Sequence, residues 1–305
     1  MSRTKRLSHS NIIRQQSGLI YGEYLTLVLD VKDGPPLLSR MDRTDVEILV
    51  NSTPAYYYIL PLFFTMLRRY APDLKWPVYL ATEELEHEVC KEVKEAHGVK
   101  LLTLDKSEAG FLESRLAALR ALKERYTYVF PLQDDFLLEM PMNGAAFKAV
   151  LEAMDQSPVI VSARCMPCPG PKTPGPGFKE LPGWKPLVQK MDTLGFVFQA
   201  TLWRTAACCE WYERVCGVLE RVCPKKTSTA AERKRVEISA NIAENSMGQR
   251  AFWEWSAEKK YGHIAWSRVG PWKNAVYLSP FPYRPTAIVR GELEPWAKEL
   301  MEREL

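Results

Sequence analysis

The stretch VFPLQDDFLL, residues 129–138, places two adjacent carboxylates at the end of an apolar, strand-forming run. Asp134 and Asp135 follow the run directly, and the apolar residues 136–138 come next. Two like charges side by side raise the pKa of one carboxyl when both are buried without a partner. The pair therefore indicates either a solvated turn or a site built for a positively charged group.

Strand and helix patterns alternate on the N-terminal side of this stretch. Buried strands are predicted at 46–51, 76–82, 99–105 and 126–132, and a helix follows each of the first three. This alternation predicts right-handed crossovers and an α/β fold with a mainly parallel sheet.

The ends of these strands carry polar residues. Ligands of such sheets bind beyond the carboxyl ends of the strands, so we expect the functional site there. The polar residues at the predicted ends are Asn51, Ser52, Thr82, Glu83, Asp134 and Asp135.

The second half of the chain has a different character. A segment rich in proline and glycine, 168–186, predicts a long loop of the kind that forms a lid or a binding loop. A strand over 194–205, a helix to about Val222, a long helix to about Tyr261, short strands and a terminal helix are predicted after it. We divide the chain into an N-terminal extension, an α/β half and a second half of the same domain, with the bounds 1–44, 45–165 and 166–305.

The composition excludes several classes of protein. A net charge of +4 over 305 residues does not favour a nucleic-acid binder. Of the seven cysteines, only Cys165 and Cys168 have C-x-x-C spacing, and two ligands are too few for a zinc site. This cysteine usage indicates a reducing, cytoplasmic location. We expect no transmembrane segment, because no apolar run reaches the length of a membrane span.

A divalent cation would remove the repulsion between the two aspartates. Mg²⁺ and Mn²⁺ prefer oxygen ligands, and they commonly bind one or two protein carboxylates together with substrate phosphates. A nucleotide diphosphate bound in this way becomes a better leaving group, because the metal offsets the developing charge. The alternative is that Asp134 and Asp135 form a solvated turn or cap the next helix.

The segment YTYVFPLQDDFLL, preceded by three strand–helix units and by SRLAALRAL, resembles the core of the GT-A glycosyltransferases. These nucleotide-diphospho-sugar transferases carry a D-x-D motif at the end of their fourth strand, and Gln133 stands here at the position of the first aspartate. The resemblance covers about residues 45–205. It implies a GT-A-like, Rossmann-type, mainly parallel sheet flanked by helices, with a helical and short-strand C-terminal acceptor region. It also implies a Mn²⁺ or Mg²⁺ cofactor that Asp135 binds directly, while Asp134 faces the metal and the ribose or sugar of the donor.

The resemblance also suggests residues that bind the nucleotide-diphosphate sugar. They are Asn51, Ser52, Thr53, Thr82, Glu83, Arg115 and Asp134. Helix capping is a complete alternative explanation for residues 51–53. For Arg115 the alternative is a surface ion pair with Glu113 or Asp105.

Three residues are predicted to contact the acceptor, which is a glycan, a protein or a lipid-linked molecule. Gln199 and Trp203 lie in a segment that resembles part of some glycan-building transferases, and Trp184 lies in the loop rich in proline and glycine. A tryptophan offers a flat apolar face to a sugar ring, but a position in the core explains any single tryptophan equally well.

An inverting transfer needs a base that takes the proton of the acceptor hydroxyl, and a carboxylate is the usual choice. Glu244 lies in the polar patch AENSMGQ, which interrupts the predicted long helix. Glu254 stands between two tryptophans, which predicts partial desolvation. His263 is a further candidate for contact with the diphosphate, although a lone histidine near a turn is more often structural.

Two other functions fit parts of the same pattern. A sugar nucleotidyltransferase would use a similar sheet, but NSTPAYYY after the first strand lacks the glycine and lysine of a triphosphate loop. A non-catalytic glycan-binding protein on the same fold would explain Gln133 in place of an acid. The retained Asp134 and Asp135 favour the enzyme.

Overall fold

The central strand β1, Val46–Asn51, is buried along its whole length in the computed structural model. The structure describes seven ranges, and every structural statement below refers to them: 43–104, 110–166, 181–189, 194–239, 241–267, 278–284 and 286–305. The predicted extension 1–44, except its last two residues, most of the loop rich in proline and glycine, and Cys168 lie outside them.

Four parallel strands form the first half of the main sheet. β1 lies between β2, Val78–Thr82, and β4, Tyr128–Gln133, and β3, Lys100–Thr103, pairs with β2 at the edge. Parallel strands in the middle of a sheet are covered on both faces, which explains why β1 reads as an almost uninterrupted apolar run.

The sheet continues beyond β4 with strands of mixed direction. Its order is β3-β2-β1-β4-β8-β6-β9-β7. β8 is antiparallel to both β4 and β6, β9 is parallel to β6, and β7 is antiparallel to β9. The predicted α/β class with a mainly parallel sheet is therefore confirmed, and strands from both predicted halves belong to one sheet. The bounds are β6 Ile160–Arg164, β7 Trp184–Leu187, β8 Thr201–Arg204 and β9 Gly262–Trp266.

Helices cover both faces of the sheet. One apolar core lies under α1, α2, α4 and α8, and a second lies under α3, α5 and α7. The helices are α1 Leu60–Tyr70, α2 Glu88–His97, α3 Phe111–Leu122, α4 Gly144–Gln156, α5 Thr205–Val222, α6 Ala230–Ser239, α7 Ser246–Lys259 and α8 Pro295–Glu304. Two short antiparallel pairs join β5 Leu137–Leu138 to β10 Tyr283–Arg284, and β11 Ile288–Val289 to β12 Glu292–Leu293. None of the helices in the described ranges is both long and apolar enough to cross a membrane.

Four predicted elements differ from the observed ones. The end of the predicted loop 168–186 is not a loop, because residues 184–187 form β7 and pair with β9. A 3-10 turn, Pro54–Ile59, precedes α1. The predicted long helix to Tyr261 is two helices, and the Asn245 side chain accepts from the backbone N–H groups of Met247 and Gly248 to begin α7. The predicted strand 194–205 is a strand only at its end, because side chains from other elements bind the backbone of residues 195–198.

The tryptophans predicted to face the acceptor are core residues, so both predictions are wrong. Trp184 is 3% exposed in β7 and packs edge-on against Trp266 with the ring centroids 5.3 Å apart. Trp203 is 4% exposed in β8 and packs against Phe196 and Phe252. A ring covered on both faces by protein cannot stack on a sugar.

The predicted diphosphate contact of His263 is also wrong. His263 is buried in β9, where its Nδ1 is 2.8 Å from Ser162 Oγ and its Nε2 is 2.8 Å from Ser256 Oγ. Burial and the nearby Arg164 charge lower the pKa of His263 to about 3, so the ring is neutral. It joins β6, β9 and α7 through two hydroxyl groups.

A buried carboxyl without a hydrogen-bond partner lies at the other end of β1. Glu47 is 0% exposed, and both of its oxygens lack a partner among the described residues. Burial raises the pKa of Glu47 from 4.5 to about 8, although Arg125 and Lys100 favour the charged form. The folded protein therefore holds this carboxyl neutral at pH values where the unfolded chain has already lost the proton.

We predict that Trp203→Ala lowers the free energy of unfolding by about 3–5 kcal/mol, the range found for large aromatic residues in cores. Trp203→Phe should cost less, because most of the ring volume is kept. Urea unfolding followed by circular dichroism measures both. An unchanged denaturation midpoint for Trp203→Ala would contradict the core position.

We also predict that stability falls as the pH rises from 4.5 towards 8, because the unfolded chain then binds fewer protons at Glu47 than the folded protein. Each unit of difference between the two pKa values is worth about 1.4 kcal/mol. Glu47→Gln should remove this part of the pH dependence and stabilise the protein most above pH 8.

The control is Glu254→Gln, because Glu254 is exposed on α7. Thermal unfolding at several pH values compares the two variants with the wild type. A parallel pH profile for Glu47→Gln and the wild type would show that Glu47 is not held neutral in the folded state.

Candidate active site at the carboxyl ends of the parallel strands

The carboxyl ends of β1, β2 and β4 meet at one edge of the sheet. Asn51, the last residue of β1, is in register with Ala81 on one side and with Gln133 on the other. The chain turns after β4, with Phe136 N donating to Gln133 O at 3.2 Å, and it then continues into β5. This turn places Asp134 and Asp135 directly beyond the strand end.

Asp134 is buried, which contradicts the solvated turn. Burial raises the pKa of Asp134 to about 6, while the nearby Ser52 hydroxyl and the Arg115 charge favour the ionised form. The next helix is capped by Asn143, whose Oδ1 accepts from Ala146 N at 3.0 Å. The capping alternative for the two aspartates is therefore wrong as well.

Asp135 is half-buried, and its pKa is raised further than that of Asp134. Burial and the like charge of Asp134 raise the pKa of Asp135 to about 7, against the effect of the Ile288 backbone N–H. Two adjacent carboxyls with raised pKa values make a site that gains free energy when a cation binds.

Several buried polar atoms at this edge have no hydrogen-bond partner in the part of the chain that the structure describes. Native proteins pair almost all such atoms, and a cluster of exceptions indicates a ligand, an ion or ordered water. The atoms are Asn51 Nδ2, Ser52 Oγ, Glu83 Oε2, Asp134 Oδ2 and Asp135 Oδ1.

Arg115 brings a buried positive charge to the same region. Its guanidinium carbon lies 3.5 Å from the centroid of the Phe111 ring, and its Nη1 donates to Phe111 O at 3.3 Å. Burial lowers the pKa of Arg115, whereas Tyr212 and both aspartates attract the charge. It forms no ion pair with a carboxylate of the described residues.

The predicted alternative for Arg115, a surface ion pair with Glu113, is wrong. Glu113 is 2.9 Å from Arg233 Nη2 and 3.0 Å from Lys225 Nζ instead. Asp105, the other predicted partner of Arg115, lies outside the described residues. A guanidinium that is buried without a carboxylate partner is suited to an anionic ligand.

The remaining candidates for binding the donor differ in their burial and in whether their side chains already form hydrogen bonds. Thr82 is buried, and its hydroxyl is hydrogen-bonded to the Tyr57 hydroxyl, so the predicted contact with a base is not favoured. Thr53 is exposed at the start of the 3-10 turn, and its side chain forms no cap. The capping explanation for residues 51–53 therefore lacks its hydrogen bond, and Ser52 is buried beside Asp134.

Side chains of the polar patch around Glu244 form hydrogen bonds with the backbone of the segment 194–200. Glu244 Oε1 accepts from Phe198 N at 2.6 Å, and Oε2 accepts from Asn241 Nδ2 at 2.6 Å. Gln249 Oε1 accepts from Gly195 N at 2.7 Å, while its Nε2 donates to Phe196 O at 2.7 Å. Because both oxygens of Glu244 already accept hydrogen bonds, its predicted role as a base is not favoured.

Gln199 and Glu254 complete the predicted residues. Gln199 is half-buried in the segment 194–200, and its carbonyl accepts from Thr201 Oγ1 at 2.9 Å. Glu254 is exposed, so the partial desolvation predicted from its tryptophan neighbours is wrong.

Tyr58 is a residue of this region that the sequence reasoning missed. It lies in the 3-10 turn after β1, and it is 40% exposed. Burial, Tyr56 and the charges of Asp134 and Asp135 all raise the pKa of Tyr58, which places its hydroxyl within electrostatic reach of the two aspartates. The sequence predicts a helix directly after the first strand, whereas Tyr58 lies in a 3-10 turn, which directs its side chains differently.

The donor set fits a hard cation with few protein ligands. The described residues contain no group of three or more histidine, cysteine, aspartate and glutamate side chains that could hold a metal ion. Mg²⁺ needs only one or two carboxylates when phosphates and water complete its shell. The partnerless oxygens of Asp134 and Asp135 meet that requirement.

Comparisons with known proteins assign no family. No family model matches the chain, and no curated protein sequence matches it. A structure of S. aureus TarS is 11% identical, with a TM-score of 0.41 over 74% of this chain and 36% of that one. S. aureus TarS 1–349 in complex with UDP-GlcNAc is 13% identical, with a TM-score of 0.37 over 55% of this chain and 47% of that one.

The structure of a second enzyme is similar to this chain with a comparably low identity and TM-score. The 4-diphosphocytidyl-2C-methyl-D-erythritol synthase of Anaerococcus prevotii is 9% identical, with a TM-score of 0.35 over 71% of this chain and 99% of that one. This chain spans about half, 53%, of the length of a further TarS 1–349 structure. TM-scores below 0.5 carry no argument about activity, so the geometry of the strand ends has to supply it.

Proposed function

We propose that this protein is a metal-dependent glycosyltransferase that moves a sugar from a nucleotide-diphosphate donor to a hydroxyl group of a glycan, protein or lipid-linked acceptor. The observation that carries the proposal is the pair Asp134 and Asp135 at the end of β4. The first is buried and the second half-buried, and one oxygen of each has no hydrogen-bond partner among the described residues. A pair of this kind that the protein compensates only in part costs stability, and a cation bridged to phosphate removes that cost.

The residues around the pair supply the rest of a donor site. Asp135 and Asp134 would hold Mn²⁺ or Mg²⁺, which offsets the negative charge that develops on the leaving nucleoside diphosphate. Arg115 adds a buried positive charge on the side of α3. Such a charge stabilises an anion more strongly than an exposed one does, because little water screens it.

Polar atoms at the ends of β1 and β2 would orient the nucleoside. The Asn51 amide N–H group is a free donor, and Glu83 Oε2 is a free acceptor among the described residues. A partnerless buried acceptor selects ligands that donate a hydrogen bond to it, because a ligand without the donor leaves the acceptor unpaired. We therefore propose that Asn51, Ser52 and Glu83 contact the nucleoside or the donor sugar.

The acceptor side is proposed to include Gln199 and Tyr58. Gln199 lies in the segment 194–200, and Tyr58 lies at the exposed edge of the site close to the two aspartates. Inversion remains our expectation for the stereochemical course. The anomeric configuration of the product, read by NMR, tests it directly.

We predict that a nucleoside diphosphate raises the melting temperature of the wild type only when Mn²⁺ or Mg²⁺ is present. A ligand at 100 times its Kd stabilises the folded state by about 2.7 kcal/mol. Asp135→Asn should lose this response. It should also raise the melting temperature of the ligand-free protein, because one of two adjacent like charges is removed without a change of shape.

Thermal shift and calorimetry with UDP, GDP, CDP and UDP-GlcNAc, each with and without metal, measure these effects. Glu254→Gln, an exposed substitution of the same chemical kind, is the control and should respond like the wild type. If Asp135→Asn keeps the full metal-dependent response, the metal site is elsewhere. If no nucleotide binds the wild type and a glycan does, the protein is a glycan-binding protein on this fold.

A further inference from the structure

Gln133 stands at the end of β4, directly before the two aspartates, but its side chain turns to another part of the fold. Its Nε2 donates to Phe198 O at 2.9 Å, which joins the strand end to the segment 194–200. The amide nitrogen must face this carbonyl, because only an N–H group donates to an oxygen acceptor.

The same residue of the segment is held from its other side. Phe198 N donates to Glu244 Oε1 at 2.6 Å, and Asn241 Nδ2 holds the second oxygen of Glu244 at 2.6 Å. Both backbone groups of Phe198 are therefore bound by side chains, one from β4 and one from the turn before α7. A chain of hydrogen bonds runs from the end of β4 to that turn.

Packing on the segment supports the same arrangement. The Phe198 ring is edge-on to the Phe111 ring with the centroids 5.0 Å apart, and the Arg115 guanidinium carbon lies 5.9 Å from the Phe198 centroid. A Cβ atom added at Gly195 would come within 2.5 Å of the Phe252 ring. The segment is thus fitted closely between α3 and α7.

An aspartate could not replace Gln133 in this role. A carboxylate carries no donor at neutral pH, and the aspartate side chain is one methylene shorter, so it would leave the Phe198 carbonyl unpaired. The residue that looks like a defective metal ligand in the sequence is therefore the residue type that the contact requires.

We propose that Gln133 is a positioning residue, not a metal ligand, and that it fixes the segment 194–200 beside Asp134 and Asp135 together with Glu244. Through this contact the acceptor-side segment keeps its place relative to the donor side. The consequence for catalysis rests on the proposed function, whereas the positioning itself does not.

Hydrogen exchange measured by mass spectrometry on the full chain tests the positioning. Gln133→Glu keeps the shape and removes the donor at neutral pH, and Gln133→Asp restores the acid of the motif. We expect both to speed exchange in peptides covering 194–200 by about fivefold to tenfold, the effect of one lost hydrogen bond. Glu244→Gln should speed exchange in the same peptides, and peptides covering β1 and β2 should exchange as in the wild type.

Two results would overturn the inference. One is unchanged exchange over 194–200 in both Gln133 variants, and the other is faster exchange over the whole sheet, which indicates general destabilisation. Mn²⁺ binding by calorimetry in the presence of UDP gives a second readout. A positioning residue predicts Mn²⁺ affinity within about threefold of the wild type for Gln133→Asp, which is small on the scale of a lost or gained ligand.

A marked gain of Mn²⁺ affinity in Gln133→Asp would instead make this position part of the metal site, and it would also overturn the inference. Failure of the proposed function has a different signature, since the wild type itself would then bind no nucleotide with metal. The exchange measurement on 194–200 decides the positioning in that case, because it needs no ligand.

Discussion

The burial of two neighbouring carboxylates is the constraint on which the candidate site depends. Asp134 and Asp135 follow a strand that lies in the interior of the sheet, and Asp134 is buried while Asp135 is half-buried. Burial raises both pKa values, the charge of Asp134 adds to the rise at Asp135, and Arg115 offsets only part of the cost. A protein that keeps such a pair stores unfavourable electrostatic free energy at one place, and the binding of a cation can release it.

The surroundings of the pair separate two tasks. Polar atoms at the ends of β1 and β2 have no hydrogen-bond partner among the described residues, as is typical of a ligand site. Helix α7 and the turn before it use their polar atoms on the backbone of 195–198, as a structural support does. The two kinds of polar cluster look alike in sequence, but their hydrogen-bond partners distinguish them.

The fold class was predictable because the parallel strands are covered on both faces and therefore read as apolar runs. The position of Asp134 and Asp135 followed from the rule that strand ends meet at one edge. The segment 194–200 was not predictable, because Glu244 and Gln249 bind it from positions about 50 residues later in the chain, a distance that local patterns do not register. The predicted acceptor contacts of Trp184 and Trp203 were wrong for a similar reason, because the local sequence does not indicate whether other parts of the protein cover the faces of a ring.

The antiparallel strand β8 has a consequence for the order in which the protein folds. β1 to β4 come from one continuous part of the chain and can pair as soon as they leave the ribosome. The second neighbour of β4 is β8, which lies between β4 and β6 although it is synthesised after β6. β4 therefore has no partner on this side until β8 has been synthesised. During that interval the edge of β4 has unpaired backbone groups, and such edges are the places where nascent chains associate wrongly. The pairing of Tyr128 with Arg204 and of Val129 with Trp203 covers the first part of this edge.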